Sequence, residues 1–283
     1  MAESGGIDGA LNVMVSAPPT VGYGRQLADC RQRLRGAVSN GGPQLEAMAE
    51  EGKLLRATLV LASGSPLGAS DAALLPAAVS IELLHLASLV HDDIIDEATE
   101  RRGAPALHVT EGRDRALVLG DLLIVAAFAV IGELRDAASA DAFAGSVEVL
   151  SRAAEQCCLG QLDELDPRDH ALSEDDYLDL VAKKTGALFA AAAALGALAA
   201  GAGSEDVATL AALGTRLGMA YQIRDDLRDG AECSPTSAAY ARAVRPVLAE
   251  LERLPASCRP GLRDLVDAML GSSVVPEGRG RGG

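Results

Sequence analysis

Two short aspartate clusters are the residues of this sequence whose type and spacing most clearly indicate chemistry. They are DDIID at residues 92–96 and DDLRD at residues 225–229. The first and last aspartates of each cluster are four residues apart, so on a helix both carboxylates project from one face and repel each other. A solvated acidic face is the simpler interpretation. Because each cluster follows an apolar stretch, however, the favoured interpretation is that a bound cation neutralises the carboxylates.

The predicted cation is Mg²⁺, with Mn²⁺ as the alternative. The available ligands are carboxylate oxygens, without cysteine or clustered histidine, and such hard ligands select these two ions. Mg²⁺ typically binds one or two protein carboxylates together with the phosphate oxygens of a substrate. Two facing clusters would therefore clamp a diphosphate through several metal ions.

The segments that carry the clusters are predicted to be helices of an all-α, single-domain bundle. Residues that favour strands are scarce, since the 283 residues include 3 Phe, 4 Tyr and no Trp, and no segment shows a strand pattern. The structured domain is predicted over residues 25–270, between a flexible leader at 1–24 and a disordered tail at 271–283. Helices are predicted at 43–63, 71–97, 113–134, 141–164, 173–200, 204–229, 235–253 and 260–270.

The charge balance and the cysteines limit the function classes. With 25 Lys and Arg against 40 Asp and Glu, the net charge is −15, which excludes nonspecific binding to nucleic acid or an anionic membrane as the main activity. Five cysteines without a CxxC pair predict reduced thiols in a cytoplasmic protein, and the N-terminus shows no export signal. The uncharged stretch 185–203 is rich in Ala and Gly, which predicts a closely packed helix and no transmembrane segment.

An ordered set of motifs surrounds the clusters and resembles a known family. The segments are LLHLASLVHDDIIDEATERRGAPALH, GQLDEL, KKTGALF and YQIRDDLRD, in that order along the chain. They look like successive motifs of the trans-prenyltransferases, the polyprenyl diphosphate synthase family, over about residues 25–230. The resemblance implies a bundle of the isoprenoid synthase type I kind around a central cavity, three Mg²⁺ ions with bound diphosphate, and a homodimer.

The resemblance also assigns roles to individual residues. The implied contacts to isopentenyl diphosphate come from Lys53, Arg56, His85 and Arg102, and those to the allylic diphosphate from Arg101, Lys184, Thr185 and Gln222. The implied metal ligands are Asp92, Asp96 and Asp225, while Asp93, Asp226 and Asp229 would bind metal-bound water or orient the site. The six aspartates and Lys184 form the implied catalytic set. His91 and His108 are expected only to pack or to form hydrogen bonds.

The implied reaction is ionisation of an allylic diphosphate, followed by attack of the isopentenyl double bond on the cation. The helix before the first cluster would continue along the pocket for the growing prenyl tail, with Leu84, Ala87 and Ser88 lining it. Family members that stop at farnesyl often carry an aromatic side chain at this level. The small residues here therefore predict a geranylgeranyl or longer product.

Two departures from the family pattern keep other functions open. Ala57 stands where the family's GKxxRP motif has proline, and the segment after Asp229 lacks the family's Lys-rich lid loop, for which Arg242 and Arg245 are possible substitutes. One alternative is a terpene cyclase of the same fold, which would leave Lys53 and its partners without a purpose. The other is a non-catalytic partner subunit of a heteromeric synthase, against which the six aspartates speak.

Overall fold

The computed structural model describes residues 22–166, 173–229 and 237–271, which form a bundle of helices. The helices are α1 Gly24–Val38, α2 Pro43–Glu50, α3 Leu55–Gly64, α4 Asp71–Ile95, α5 Leu107–Glu111, α6 Arg113–Ile131, α7 Leu134–Ala137, α8 Ala140–Glu164, α9 Glu174–Val181, α10 Ala187–Ala199, α11 Ser204–Asp229, α12 Ser237–Arg253 and α13 Arg259–Leu270. A π-helical turn, Ala182–Gly186, joins α9 to α10. The predicted all-α class is confirmed.

The helix predictions are correct for most of the chain and wrong in three places. Helix α1 was not predicted, although it buries Leu27, Leu34 and Val38 along one face. The predicted helix 43–63 is two helices, since residues 51–54 break it and Leu54 adopts a left-handed φ of 52°. The predicted helix 173–200 contains the π-helical turn. Residues 1–21, 167–172, 230–236 and 272–283 lie outside the described residues. They include most of the predicted leader, the beginning of the segment after Asp229 and most of the predicted tail.

A short β-hairpin corrects the prediction that the chain has no strands. Strand β1, Glu100–Arg101, pairs antiparallel with β2, Ala104–Pro105. The two residues of the turn, Arg102 and Gly103, have φ angles of 54° and 79°, as a type I′ turn requires. Two-residue strands carry no readable alternation, so the sequence pattern could not reveal them. The hairpin turns the chain sharply just after the first aspartate cluster.

Helix α4 lies in the centre of the bundle and packs against α1, α3, α6 and α10. Two glycines allow α3 and α10 to cross closely, because a Cβ on Gly64 would collide with the carbonyl of Gly196 and a Cβ on Gly196 with that of Val60. This crossing holds the first turn of α3 beside Phe189 on α10. The core thereby fixes the position of Arg56, a residue of the predicted site.

Three stretches of helix are long and apolar enough to cross a membrane, judged by length and composition alone. They are Asp71–Ile95, Arg113–Ala137 and Glu174–Ala199, whose most apolar windows are 78%, 33% and 61% buried within the bundle. Only the third of these overlaps the stretch 185–203 that the sequence indicates. The stretch that contains α6 is the least buried of the three, so this helix presents an apolar face outside the bundle.

Candidate active site

One cavity, of about 480 Å³, brings the predicted substrate-binding residues together. Its wall includes residues from α3, α4, the β-hairpin, the π-helical turn and α11. Of the eight predicted substrate contacts, all but Lys184 line it, namely Lys53, Arg56, His85, Arg101, Arg102, Thr185 and Gln222. Asp225 of the second cluster lines it as well. Lys53 and Gln222, 169 positions apart in the sequence, thus share one pocket, as a common site requires.

The cavity holds two buried polar atoms without a partner. Arg56 is 9% exposed, and among the described residues its Nε has no hydrogen-bond partner, nor does the buried Nδ1 atom of the half-buried His85. The pKa of His85 lies well below its usual value because the ring is buried and Arg56 and Arg102 are nearby, so the ring is neutral. Burial also lowers the pKa of Arg56. A buried donor such as the Arg56 Nε–H is costly without a partner, which indicates that this wall is built to receive an acceptor.

The β-hairpin presents the two arginines of the RRG motif. Arg101 forms a bidentate pair with Asp93 of the first cluster, with Nε 2.7 and 2.8 Å from the two carboxylate oxygens. This pairing raises the pKa of Arg101. Arg102 sits at the turn in a left-handed conformation that costs a non-glycine residue free energy. The hairpin therefore connects the first cluster to the cavity through Arg101 and holds Arg102 at its rim.

The first aspartate cluster lies at the C-terminal end of α4. Asp92 and Asp93 belong to the last turn, and Asp96 is the C-cap, with its N–H donating to the carbonyl of Asp92 at 2.8 Å. Asp93 is 1% exposed, whereas Asp96 is exposed. Burial raises the pKa of Asp92, Lys184 opposes this, and Asp96 and Glu164 raise it further. Acidic side chains at a negative helix end attract a cation.

The second cluster occupies the C-terminal end of α11 and is held by neighbouring side chains. Asp226 accepts hydrogen bonds from the hydroxyl of Tyr177, at 2.5 Å, and from Nε2 of Gln222, at 2.8 Å. Asp225 accepts from the fully buried guanidinium of Arg224 at 2.7 Å. Arg224 also donates to the carbonyl of Met269, so it links the cluster to α13. Of Asp229 the structure describes only the backbone.

The π-helical turn positions Lys184 and Thr185. The Nζ of Lys184 lies 2.5 Å from Glu164 in the GQLDEL motif, and Thr185 donates to Oε1 of Gln222 at 3.2 Å. A Cβ on Gly160 of α8 would contact Lys183 and Lys184 too closely, so this glycine lets the wider turn pack against α8. π-helical turns are frequent at functional sites. The sequence motif KKTG thus coincides with a local distortion of the helix.

The metal prediction rests on the chemistry of the donors. Within residues 22–166, 173–229 and 237–271, no three His, Cys, Asp or Glu side chains form a metal site by themselves. This is compatible with Mg²⁺, which takes one or two carboxylates and completes its shell with substrate oxygens and water. Oxygen donors at two negative helix ends fit that ion. The specific ligand roles of Asp92, Asp96 and Asp225 stay predictions.

The residues predicted to line a tail channel do not line this cavity. Leu84 and Ala87 are buried in the core, and the hydroxyl of Ser88 donates to the carbonyl of His85. On α4 the cavity is lined instead by Glu82, His85, Leu86 and Leu89. Ser88 is four residues before Asp92 and shares its face, whereas Ala87 is rotated by about 140° from it. A channel along Leu84, Ala87 and Ser88 stays a prediction.

Several side chains of the site were not identified from the sequence. Tyr221 lines the cavity and packs against Phe189, with ring centroids 6.2 Å apart. Arg56 lies over Phe189 at 4.6 Å and Arg224 over Tyr221 at 5.1 Å, so two aromatic rings separate the two buried arginines. Arg242, considered as a substitute for the lid, instead pairs with Glu174 and Asp175 of α9. Single aromatic residues give no sequence signal of this kind.

Comparison with curated proteins finds prenyl synthases. The sequence is 42% identical over 190 residues to a geranylfarnesyl diphosphate synthase of Aeropyrum pernix and 36% identical over 179 residues to a geranylgeranyl diphosphate synthase of Methanosarcina mazei. The matches cover 66% and 63% of this chain. They span 60% and 55% of the lengths of those relatives.

Solved structures share the fold. A geranyltranstransferase of Thermotoga maritima, 30% identical, aligns with a TM-score of 0.71 over 86% of this chain and 95% of its own. A polyprenyl synthase of Caulobacter crescentus, complexed with calcium and isoprenyl diphosphate and 23% identical, aligns with a TM-score of 0.74 over 90% and 98%. The family model for polyprenyl synthetase matches residues 43–237, which include both aspartate clusters. The chain belongs to the polyprenyl synthetase family.

Proposed function

We propose that this protein is a Mg²⁺-dependent trans-prenyltransferase that condenses isopentenyl diphosphate with an allylic prenyl diphosphate. The observation that carries the proposal is the convergence of seven of the eight predicted substrate contacts on one cavity, where Arg56 and His85 each keep a buried polar atom that has no partner among the described residues. The relatives named as geranylgeranyl and geranylfarnesyl diphosphate synthases support it. The cysteine pattern supports a cytoplasmic location.

The residues of the chain have distinct tasks in this reaction. Lys53, Arg56 and Arg102 bind isopentenyl diphosphate, and the neutral His85 donates a hydrogen bond to it. Arg101, Lys184 and Thr185 hold the allylic diphosphate. Mg²⁺, when bound at the aspartate clusters, stabilises the negative charge on the departing diphosphate.

The bonding changes balance without an external acid or oxidant. The allylic C–O bond breaks, and its electron pair leaves with the diphosphate. The isopentenyl double bond then attacks the allylic cation and forms a C–C bond. The departed diphosphate accepts the proton whose loss restores a double bond. Apolar side chains such as Leu86 and Leu89 line the same cavity and keep water from the cation.

Incubation with Mg²⁺ and farnesyl diphosphate, with and without isopentenyl diphosphate, tests the proposal. Mass analysis should show prenyl diphosphates longer by whole isopentenyl units only when both substrates are present. A hydrocarbon formed from farnesyl diphosphate alone would identify a terpene cyclase. If the protein is inactive by itself and activity appears when a second synthase subunit is added, it is a partner subunit.

The proposed product is geranylgeranyl diphosphate or longer. Ser88→Phe should shift the products to shorter chains, because a ring one turn before Asp92 would narrow the tail channel. Ala87→Phe should act in the same way, at a cost of about 1–3 kcal/mol from overpacking at a fully buried position. Chain lengths are measured by mass analysis of the dephosphorylated products. Unchanged lengths in both variants would contradict the assignment of this channel.

We further propose a homodimer that forms through α6. Four of its apolar residues are exposed, at 49%, 64%, 47% and 63%: Leu117, Val118, Leu122 and Val125. Such a face on one helix is typical of an interaction surface. Val118→Asp combined with Val125→Asp should convert a dimer to a monomer in light scattering, whereas Ala208→Asp on the exposed side of α11 should not. A wild-type monomer would contradict the proposal.

A further inference from the structure

Glu82 is a buried carboxylate in the wall of the cavity and lies outside the sequence motifs. It is 6% exposed and lies on α4 three residues before His85, so both side chains share one face of the helix. It stands among Lys53, Arg56 and Arg102. An acid in a pocket for a diphosphate repels the ligand, so its presence there needs a physical reason.

The contacts of Glu82 supply that reason. The N–H of Ala57 donates to Oε1 of Glu82 at 2.8 Å, and the N–H of Arg56 donates to the same carboxylate. These are the second and third residues of α3, whose first N–H groups have no partner within the helix. The preceding residue, Leu54, supplies no side-chain cap. Glu82 therefore caps α3 from a neighbouring helix.

This cap fixes the residue that carries the guanidinium. Arg56 lies in the capped turn, and its side chain lies over Phe189. Within the described residues the structure records no ion pair of 4.0 Å or less between Glu82 and Arg56, so the carboxylate leaves the guanidinium free for a ligand. Burial raises the pKa of Glu82, and Arg56 and the two N–H groups oppose that rise.

The bond from Ala57 depends on a feature of this sequence. Ala57 occupies the position that is proline in the GKxxRP pattern, and proline has no N–H to donate. Alanine at this position thus adds a hydrogen bond between α3 and Glu82. The sequence alone assigns no effect to this departure from the family pattern. In the structure it adds a hydrogen bond that joins α3, which carries Arg56, to α4, which carries His85.

We propose that Glu82 is a positioning residue that sets Arg56 and His85 at the spacing required by isopentenyl diphosphate, through its cap on the first turn of α3. The inference rests on the proposed function. It predicts an unusual direction for the change in substrate binding when Glu82 is removed. Removing a negative charge from an anion site should tighten binding by simple electrostatics. If positioning dominates, removing Glu82 should weaken binding instead.

The first test compares Glu82→Ala with Glu82→Gln. Glu82→Ala should raise the KM for isopentenyl diphosphate by at least about tenfold and leave the KM for the allylic substrate within about twofold. Glu82→Gln keeps an oxygen that accepts the two N–H bonds, so its KM should stay within about threefold of the wild type. Glu148→Ala, which removes an exposed carboxylate on α8, is the matched control and should change neither KM.

The second test separates positioning from stability. Glu82→Ala leaves the N–H of Ala57 buried without a partner, and adding Ala57→Pro removes that donor at a helix position that tolerates proline. The double variant should therefore recover thermal stability relative to Glu82→Ala, while its KM for isopentenyl diphosphate stays raised. Recovery of the KM together with stability would show a merely structural role and overturn the proposal, as would a lowered KM in Glu82→Ala.

Binding of inorganic diphosphate in EDTA, measured by calorimetry, distinguishes the failure of this inference from that of the proposed function. The site tested is then the cationic wall without metal. If the wild type incorporates no isopentenyl diphosphate but binds diphosphate more tightly than Glu82→Ala does, the proposed function fails and the positioning role holds. Equal binding by wild type and Glu82→Ala would overturn the positioning role.

Discussion

Asp92→Ala should lower turnover by about two to four orders of magnitude. Asp92 lies in the last turn of α4, where burial raises its pKa and Asp96 and Glu164 add negative charge. A bound cation relieves this repulsion, and the variant loses one of the few carboxylates available to hold it. The fold should survive, because the change removes one member of a repulsive pair. Steady-state incorporation of labelled isopentenyl diphosphate at saturating Mg²⁺ measures the effect, and circular dichroism checks the helices.

Asp225→Ala should lower turnover to a similar extent, but with a cost in stability that Asp92→Ala does not have. Asp225 pairs with Arg224, which is fully buried, and removing the carboxylate leaves that charge with fewer partners. Asp225→Asn keeps a hydrogen-bond acceptor for Arg224 and is the better-matched comparison. Asp141→Ala, at an exposed position on α8, should leave turnover unchanged. Full activity in EDTA, or in Asp92→Ala, would contradict the metal assignment.

The parts of the fold that could be predicted from sequence are those with a local signal. Long apolar helices with clear breaks gave α4, α6, α8 and α11 close to their observed bounds. The π-helical turn and the break before α3 could not be predicted, because packing between distant segments and local backbone conformation determine them. The π-helical turn at Lys184 needs Gly160 on α8, and the break before α3 depends on the left-handed Leu54.

The same division applies to the site. The charged residues at motif positions could be located, and the structure gathers Lys53, Arg56 and His85 around one cavity. Their supporting contacts could not, since each joins residues far apart in sequence. Glu82 reaches the backbone of Ala57 from 25 residues away, and Tyr177 reaches Asp226 from 49. Tyr177 has no pattern that distinguishes it from a core position, and Glu82, the one acidic residue within 72–90, has no sequence neighbour that shows what it contacts.

Arg56→Ala should raise the KM for isopentenyl diphosphate by roughly a hundredfold, since a hydrogen-bonded charge inside a protein contributes about 1.5–3 kcal/mol. The side chain is 9% exposed, and its Nε has no partner within the described residues, so its bonding capacity is available to a ligand. His85→Ala should raise the same KM by about tenfold, because a neutral ring donates an uncharged hydrogen bond. Initial rates at varied concentrations of each substrate measure both effects.

The control for this prediction is Arg56→Lys, which keeps the positive charge beside Glu82 but loses the planar fork of donors over Phe189. It should fall between wild type and Arg56→Ala if two hydrogen bonds to a diphosphate are formed. The KM for the allylic substrate should change by less than about threefold in all three variants, because its proposed contacts lie elsewhere. An equal rise in both KM values would mean that Arg56 supports the whole cavity. Formation of a hydrocarbon from farnesyl diphosphate alone, unaffected by Arg56→Ala, would show that this wall binds no second substrate and that the enzyme is a cyclase.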